Sequence, residues 1–333
     1  MKRVHVLVLN YNGKSLMDEC LPSLVAAVRR AMHPSRLTVV DNCSSDGSVQ
    51  FLKDQFPTVG IYEALENRVL CSFNDCVRGL DEDIVILLNN DIKVQEDFID
   101  PLADVYETWP DAFLVSSRSY LYDGTFEGGK SLFFMKAGIF GSTCRFPRFE
   151  KYKEIFGLTH QAGYGAYHRQ KFLELGGFDD LYLPGRLEDS DLCFRAWRCG
   201  YRCYYQPQSV VYHKGGASFL ARFGVSKTLV INFRNTFLFM WKNLSDRKFL
   251  LFHVALLLPR LGFDLLRGRP ELAIGFLQAL PRMPRALARR SKALAGAVRS
   301  DREIFYDPGF YLELVDTGKG LAKTAYGEGD RRG

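Results

Sequence analysis

Two hydrophobic periods alternate over roughly the first 120 residues. Short runs rich in β-branched and aliphatic residues read as strands at Val4–Leu9, Leu37–Val40, Val59–Tyr62, Ile84–Leu88 and Ala112–Ser116. Between them, apolar residues recur at helical spacing over Leu16–Arg30, Val49–Phe56, Cys71–Leu80 and Glu96–Tyr106. Strand and helix in strict alternation predict crossover units on a mainly parallel, Rossmann-like sheet of the α/β class. Further on, Leu192, Ala196 and Cys199 predict an amphipathic helix over Ser190–Cys199, closed by Gly200, with a short strand at Tyr201–Tyr205.

The polar positions carry the next inference. Val4–Leu9 runs into Asn10-Tyr11-Asn12, Leu37–Val40 into Asp41-Asn42, and Ile84–Leu88 into Asn89-Asn90-Asp91. Asn and Asp at one such end are ordinary turn residues. A parallel sheet, however, gathers the carboxyl ends of its strands on one edge, where open α/β sheets bind ligands, so three clusters together predict a nucleotide-type site. The turn "NYNGKS" has one glycine and lacks the G-x-G-x-x-G of a dinucleotide fold, which argues against hydride transfer. "GTFEGGKS" (Gly124, Gly129, Lys130, Ser131) satisfies the phosphate-loop spacing on paper. The residues after Ser131 are aromatic and not clearly amphipathic, and Asp123-Gly124 reads better as a hairpin turn.

Composition bounds the class. The 333 residues are 47% hydrophobic and 25% charged, a globular balance with room for one large domain or two ordinary ones. The net charge of +6 is too small to imply nucleic acid. The N-terminus has no secretory pattern, and no uninterrupted apolar run approaches the roughly 20 residues of a spanning helix. The eight cysteines form no C-x-x-C pair, and the spacing of Cys193, Cys199 and Cys203 fits no zinc motif. Reduced thiols are the expectation. Ser245–Arg302 carries twelve Lys+Arg against four Asp+Glu, +8 by subtraction, so the rest of the chain is −2. Its apolar stretches, Phe249–Leu258 and Leu272–Leu280, are too short to span, and prolines 259, 270, 281 and 284 predict short helices. Apolar faces interleaved with Arg read either as interfacial membrane helices or as a helical subdomain with a solvated basic face.

"GGFDDLYLPGRLEDSDLCFRAWRCGYRCYY" is the most informative stretch. Glu188 and Asp189 fall at the start of the predicted helix, where the dipole and free N–H groups favour an ionised carboxylate. Such a group is either a plain helix cap or a general base. His213 follows an apolar strand and precedes a Gly-Gly loop, which suits a site edge.

The segments taken together match a known pattern. "VLVLNYNG", "VVDNCSSDGS", Glu66-Asn67 with Asn74, "LLNNDI", "GGFDDLYLPGRLEDSDLCFRAWRCGYR" and "VVYHKGGAS" resemble the family 2 glycosyltransferases of GT-A fold, especially bacterial rhamnosyltransferase-like members. The resemblance runs from about Val4 to about Ser218. It implies a glycosyltransferase domain over 1–220, leaving a helical basic region over 221–315 and a flexible tail over 316–333. It also implies that Asn10, Asn12, Asp41, Asn67 and Asn90 hold a nucleotide sugar. Asp91 and His213 would contact Mn²⁺ or Mg²⁺ on the diphosphate, Asp189 would be the catalytic base with Glu188 as its neighbour, and "AGYGAYHR" would line the acceptor side.

The activity implied is a single inverting displacement from a nucleotide-sugar donor, dTDP-rhamnose or a UDP-sugar, to a hydroxyl of a glycan or lipid-linked acceptor. The setting expected for it is cell-surface polysaccharide synthesis at the cytoplasmic face of the membrane, with peripheral attachment. Two departures from the family pattern stand out. Val69-Leu70 replaces the usual Gly-Phe, and the metal motif keeps only its last carboxylate, Asp91. A one-carboxylate site suits a hard cation that keeps waters and phosphate oxygens. These departures leave a rival reading, a non-catalytic GT-A-like binding protein. A sugar-phosphate nucleotidyltransferase lacks its expected N-terminal Gly-rich basic loop.

Overall fold

A computed structural model describes residues 1–143, 153–215, 222–307 and 309–310. The expected tail over 316–333 and Ala217-Ser218 of the last motif lie outside the described residues. In chain order the elements are β1 (Val4–Asn10), α1 (Lys14–Arg30), β2 (Ser35–Asp41), α2 (Ser48–Gln55), β3 (Gly60–Glu63), α3 (Ser72–Arg78), β4 (Ile84–Asn89), β5 (Ile92–Val94), α4 (Ile99–Thr108), β6 (Ala112–Leu121), β7 (Phe126–Gly128), β8 (Leu132–Lys136), β9 (Ile139–Thr143), β10 (Gly157–Leu158), β11 (Gly165–His168), α5 (Arg169–Glu174), α6 (Glu188–Arg198), β12 (Arg202–His213), α7 (Val225–Asn243), α8 (Arg247–Leu266), α9 (Glu271–Ala279), α10 (Met283–Leu294) and α11 (Asp301–Phe305).

The main sheet has the order β10-β12-β6-β11-β4-β1-β2-β3, with β5 added on β12 and β7 on β6. The β4-β1-β2-β3 half is parallel throughout, as the alternation of periods requires. The other half is mixed, because β11 runs antiparallel to both β4 and β6. Beyond Ser116 the chain stops alternating with helices and returns through strands, so crossover geometry no longer fixes direction. β1 and β4 are apolar and buried on both faces, while α1 buries Met17, Cys20, Leu21, Leu24 and Ala27 along one stripe.

The rejection of the phosphate loop agrees with the structure, because Ser131 leads into β8 rather than a helix. Two local expectations change. The predicted Tyr201–Tyr205 strand is part of the twelve-residue β12, which continues to His213 through a register shift between Gln206 and Val210. Pro259 does not end a helix: α8 is twenty residues long and passes through it. By length and composition this helix is apolar enough to cross a membrane. Proline removes one backbone hydrogen bond from a helix, but contacts on either side hold this one together. Phe249 packs edge-on against Phe305, and Arg260 Nε donates to Asp264 at 3.0 Å.

The C-terminal helices share the core of the strands. Phe237, Phe239, Met240, Leu272, Ile304 and Phe305 belong to one apolar cluster with β1, β4 and α6. Asp301 fixes the turn between α7 and α8, accepting from the Ser245 and Asp246 amides at 2.6 Å each and pairing with Arg198.

Candidate active site

The strand ends meet as the parallel register dictates. Asn10 lies beside Asp41 in the β1–β2 ladder, and Leu9 beside Asn89 in β1–β4. Asn10 Nδ2 donates to Asp41 Oδ1 at 2.9 Å, and Asn90 Nδ2 donates to Asn10 Oδ1 at 2.8 Å. Asn10 and Asp41 are buried. Asn12 adopts a left-handed φ of 48°, and its Oδ1 accepts from the Ser45 amide at 2.7 Å, tying the first strand end to the "CSSDGS" turn. Four of the five residues expected on the donor side therefore form one connected edge. The fifth, Asn67, is spent locally, accepting from the Val69 amide at 3.1 Å. The strand end reaches that turn through Asn42, whose Nδ2 donates to the Val69 carbonyl at 3.2 Å.

Val69 explains one departure from the family pattern. Its φ is 53°, in the left-handed region that disfavours a β-branched residue and suits glycine. The turn that glycine would make is kept here by valine, at a cost in backbone strain.

A second cluster forms farther along the same edge. β5 pairs antiparallel with β12, setting His213 opposite Ile92, next to Asp91. β12 pairs with β6, which carries β7 and with it Glu127. His213 Nδ1 lies 2.8 Å from Glu127 Oε1, and its Nε2 lies 3.4 Å from Asp91 Oδ2. Burial opposes charge on the ring, but hydrogen bonds and attraction to these two carboxylates prevail, and the imidazole is pushed up to about 10. In the metal-free site the ring therefore carries a proton at neutral pH, which a cation bound at Asp91 would displace. Glu127 shows the converse balance: burial raises it, yet bonds from His213, Ser119 and Tyr164 hold it below the usual carboxylate range.

Asp91 Oδ1 is buried with no hydrogen-bond partner. An unclaimed carboxylate oxygen beside an imidazole fits a hard divalent cation, Mg²⁺ or Mn²⁺. Among the described residues no group of three or more His, Cys, Asp and Glu side chains forms a metal cage, so most of the coordination would fall to substrate and water.

The third element is α6. Its first residue is Glu188, two earlier than expected, so Glu188 and Asp189 stand inside the first turn. The N-cap is Leu187 at φ 70°, with no side-chain cap bond, and Arg186 before it is also left-handed at 76°. Asp189 is not the N-cap: it stands inside the first turn, and its Oδ1 accepts from the adjoining Ser190 amide at 2.8 Å. The expectation of readily ionised carboxylates at this helix start also changes. Burial, then repulsion from Asp189, pushes Glu188 up to about 8, and its Oε2 is buried without a partner. Burial likewise raises Asp189, against the amides that favour its charge. Desolvation outweighs the helix dipole because the turn is covered by the loop before it and by α7. Asn235 Nδ2 on α7 lies 2.7–2.9 Å from the carbonyls of Tyr182, Gly185 and Arg186, sharing its two hydrogens among them and fixing that loop. Asp191, one turn-position on, is held well below the carboxylate range despite complete burial, by Lys242 and Arg195.

Two residues join the halves. A Cβ at Gly163 would stand 3.7 Å from Asp189 Oδ2, while the Tyr164 hydroxyl donates to Glu127 Oε2 at 3.3 Å and its ring lies 5.9 Å from His213. Gly163 and Tyr164 belong to the stretch expected on the acceptor side. Glu127 and Asn235 were not singled out from sequence. Glu127 sits within the rejected "GTFEGGKS", and a short strand there, ending in Gly-Gly, was the only signal available.

The model of the family described as "Glycosyl transferase family 2" matches residues 5–175. No curated protein matches the chain. Among solved structures, GalNAc-T7 with UDP, GalNAc and Mn²⁺ aligns with a TM-score of 0.62 at 14% identity, over 93% of this chain and 57% of that one. This chain thus spans little more than half of that structure. The 1–349 portion of S. aureus TarS, in complex with UDP-GlcNAc, aligns at 0.54 and 15% identity, over 88% of this chain and 89% of that one. At these identities the likeness is one of fold, the GT-A fold.

Proposed function

The chain belongs to glycosyl transferase family 2, and from that premise we propose that it is an inverting glycosyltransferase. It moves a sugar from a nucleotide-sugar donor, dTDP-rhamnose or a UDP-sugar, to a hydroxyl of a glycan or lipid-linked acceptor. The work is cell-surface polysaccharide synthesis at the cytoplasmic face of the membrane. The observation that carries the reading is the span Gly163-Tyr164, which has Asp189 on one side and the Asp91–His213–Glu127 cluster on the other. Inversion needs a base on one face of the sugar and charge stabilisation on the other, and that separation supports the reading.

Asn10, Asn12, Asp41 and Asn90 line the edge on which base and ribose rest, with Asn67 holding the adjoining turn. Asp91, with His213 beside it, would hold Mn²⁺ or Mg²⁺, which neutralises charge developing on the diphosphate. Asp189 takes the proton from the acceptor hydroxyl. Its raised pKa improves it for that task, since a base works best near the operating pH. Glu188, protonated at neutral pH, leaves the single charge of the pair on Asp189. The rival, a binding protein without catalysis, drew on Val69-Leu70, and the turn at Val69 is retained.

The test joins binding to transfer. Thermal shifts across UDP-, GDP- and dTDP-sugars with Mn²⁺ identify the donor; at 100 times Kd a donor adds about 2.7 kcal/mol. Asp189→Asn should keep donor affinity within a few-fold and lower transfer by roughly 10²- to 10⁴-fold. Near-normal transfer by that variant would move the base elsewhere. Asp91→Ala should weaken donor binding in Mn²⁺ and change it little in chelator; equal loss in both would make Asp91 structural.

A further inference from the structure

Helix α8 is built inside out. Leu251, Phe252, Val254, Leu258, Phe263 and Leu266 are 49–91% exposed. At 100° per residue the exposed positions fall in two adjoining stripes, and together they cover about half the circumference. Between Lys248 and Arg267 the exposed arc carries no charge. The polar residues turn the other way. His253 is buried, with Nδ1 donating to the Gly138 carbonyl at 2.8 Å, and Asp264 is buried under Arg260. A surface helix in water shows the opposite pattern, with its apolar stripe inward.

The charges around α8 select what covers this arc. All four acidic residues of the 245–302 segment are engaged within the protein: Asp246 caps α8, Asp264 meets Arg260, Glu271 accepts from Ser226, and Asp301 pairs with Arg198. Arg247 and Lys248 at one end, and Arg267 and Arg269 at the other, are exposed. A second copy packed across a two-fold axis would bring these like charges together. An anionic lipid surface neutralises them while taking up the apolar arc. The inner face of α8 is held along its length by contacts with Phe305 and Gly138 and by Leu261, which packs against the core, so the helix cannot leave the domain to cross a bilayer without breaking those contacts.

We propose that α8 lies in one leaflet of an anionic membrane, its Leu251–Leu266 arc among the acyl chains and its terminal cations at the headgroups. Attachment is therefore chiefly apolar, rather than the basic-face adsorption that charge count alone suggests. Its use, holding the acceptor side against lipid-linked substrate, rests on the function proposed above; its test needs neither donor nor acceptor.

The experiment is flotation of the full chain with vesicles of phosphatidylcholine alone or mixed with phosphatidylglycerol, at low and high salt. The native chain should float with mixed vesicles and stay bound in high salt, where adsorption by charge alone would be lost within a Debye length of about 3 Å at 1 M. Leu251→Glu/Leu258→Glu should reduce bound protein at least tenfold while keeping its melting temperature, because both positions face out. Leu258→Trp should show a blue-shifted emission quenched by brominated lipid. Unchanged flotation of the double variant, release of the native chain by salt, or a native dimer that the double variant dissolves without vesicle binding would each overturn the proposal. Donor thermal shifts on the same variants report separately on the catalytic reading.

Discussion

Glu188 offers a quantitative test of how the α6 turn is built. The side chain is buried and one carboxylate oxygen has no partner, so the fold favours the neutral acid. Its pKa stands at about 8 in the folded chain against 4.5 for the free group. A pKa raised by folding contributes stability that is intact below 4.5 and is lost progressively as pH rises toward 8. Glutamine has the same shape and cannot ionise, so Glu188→Gln escapes that loss. At pH 7, 2.5 pH units above 4.5, the unfolded wild type is ionised while the folded one holds its proton, at about 1.4 kcal/mol per unit, so the variant should be more stable by about 3 kcal/mol. At pH 4 the two should be equal, and above about pH 8 the difference should stop growing. For 333 residues at about 2.1 cal/mol/K each, the gain at pH 7 amounts to roughly 4 °C in melting temperature. Melting curves of both proteins from pH 4 to pH 8.5 measure it. A gain that does not depend on pH, or a loss at every pH, would show that Glu188 is ionised and satisfied in the fold.

Val69→Gly should stabilise the chain by about 1 kcal/mol in urea unfolding, because glycine adopts φ 53° without the left-handed penalty; a destabilised variant would mean that valine packing outweighs the strain. Asp191→Asn should cost about 3–5 kcal/mol, since it leaves Lys242 and Arg195 buried against a neutral group. Donor affinity of the surviving folded protein should hold while transfer falls, because Asp191 ties α6 to α7 rather than touching substrate; equal stability would place Lys242 on Asp179 alone.

Local hydrophobic period was enough to set the parallel half and the edge it makes. Periodicity located β1, β2 and β4, and since parallel strands end together, Asn10, Asp41 and Asn90 had to meet. It also located α6 and its acidic start to within two residues. Tertiary structure decided what depends on distant partners. His213 reaches Asp91 and Glu127 only because β12 pairs with β5 and β6, contacts that span 122 and 86 residues of chain and leave no local pattern. The raised carboxyls of Glu188 and Asp189 result from burial beneath the loop that α7 fixes; helix position favours the charged forms, and desolvation opposes it. Pro259 sits inside α8, which Phe249 anchors on Phe305 to one side and Arg260 braces on Asp264 to the other. Local sequence sets backbone period and the order of polar ends. Burial, and with it charge state, is set by what the rest of the chain lays on top.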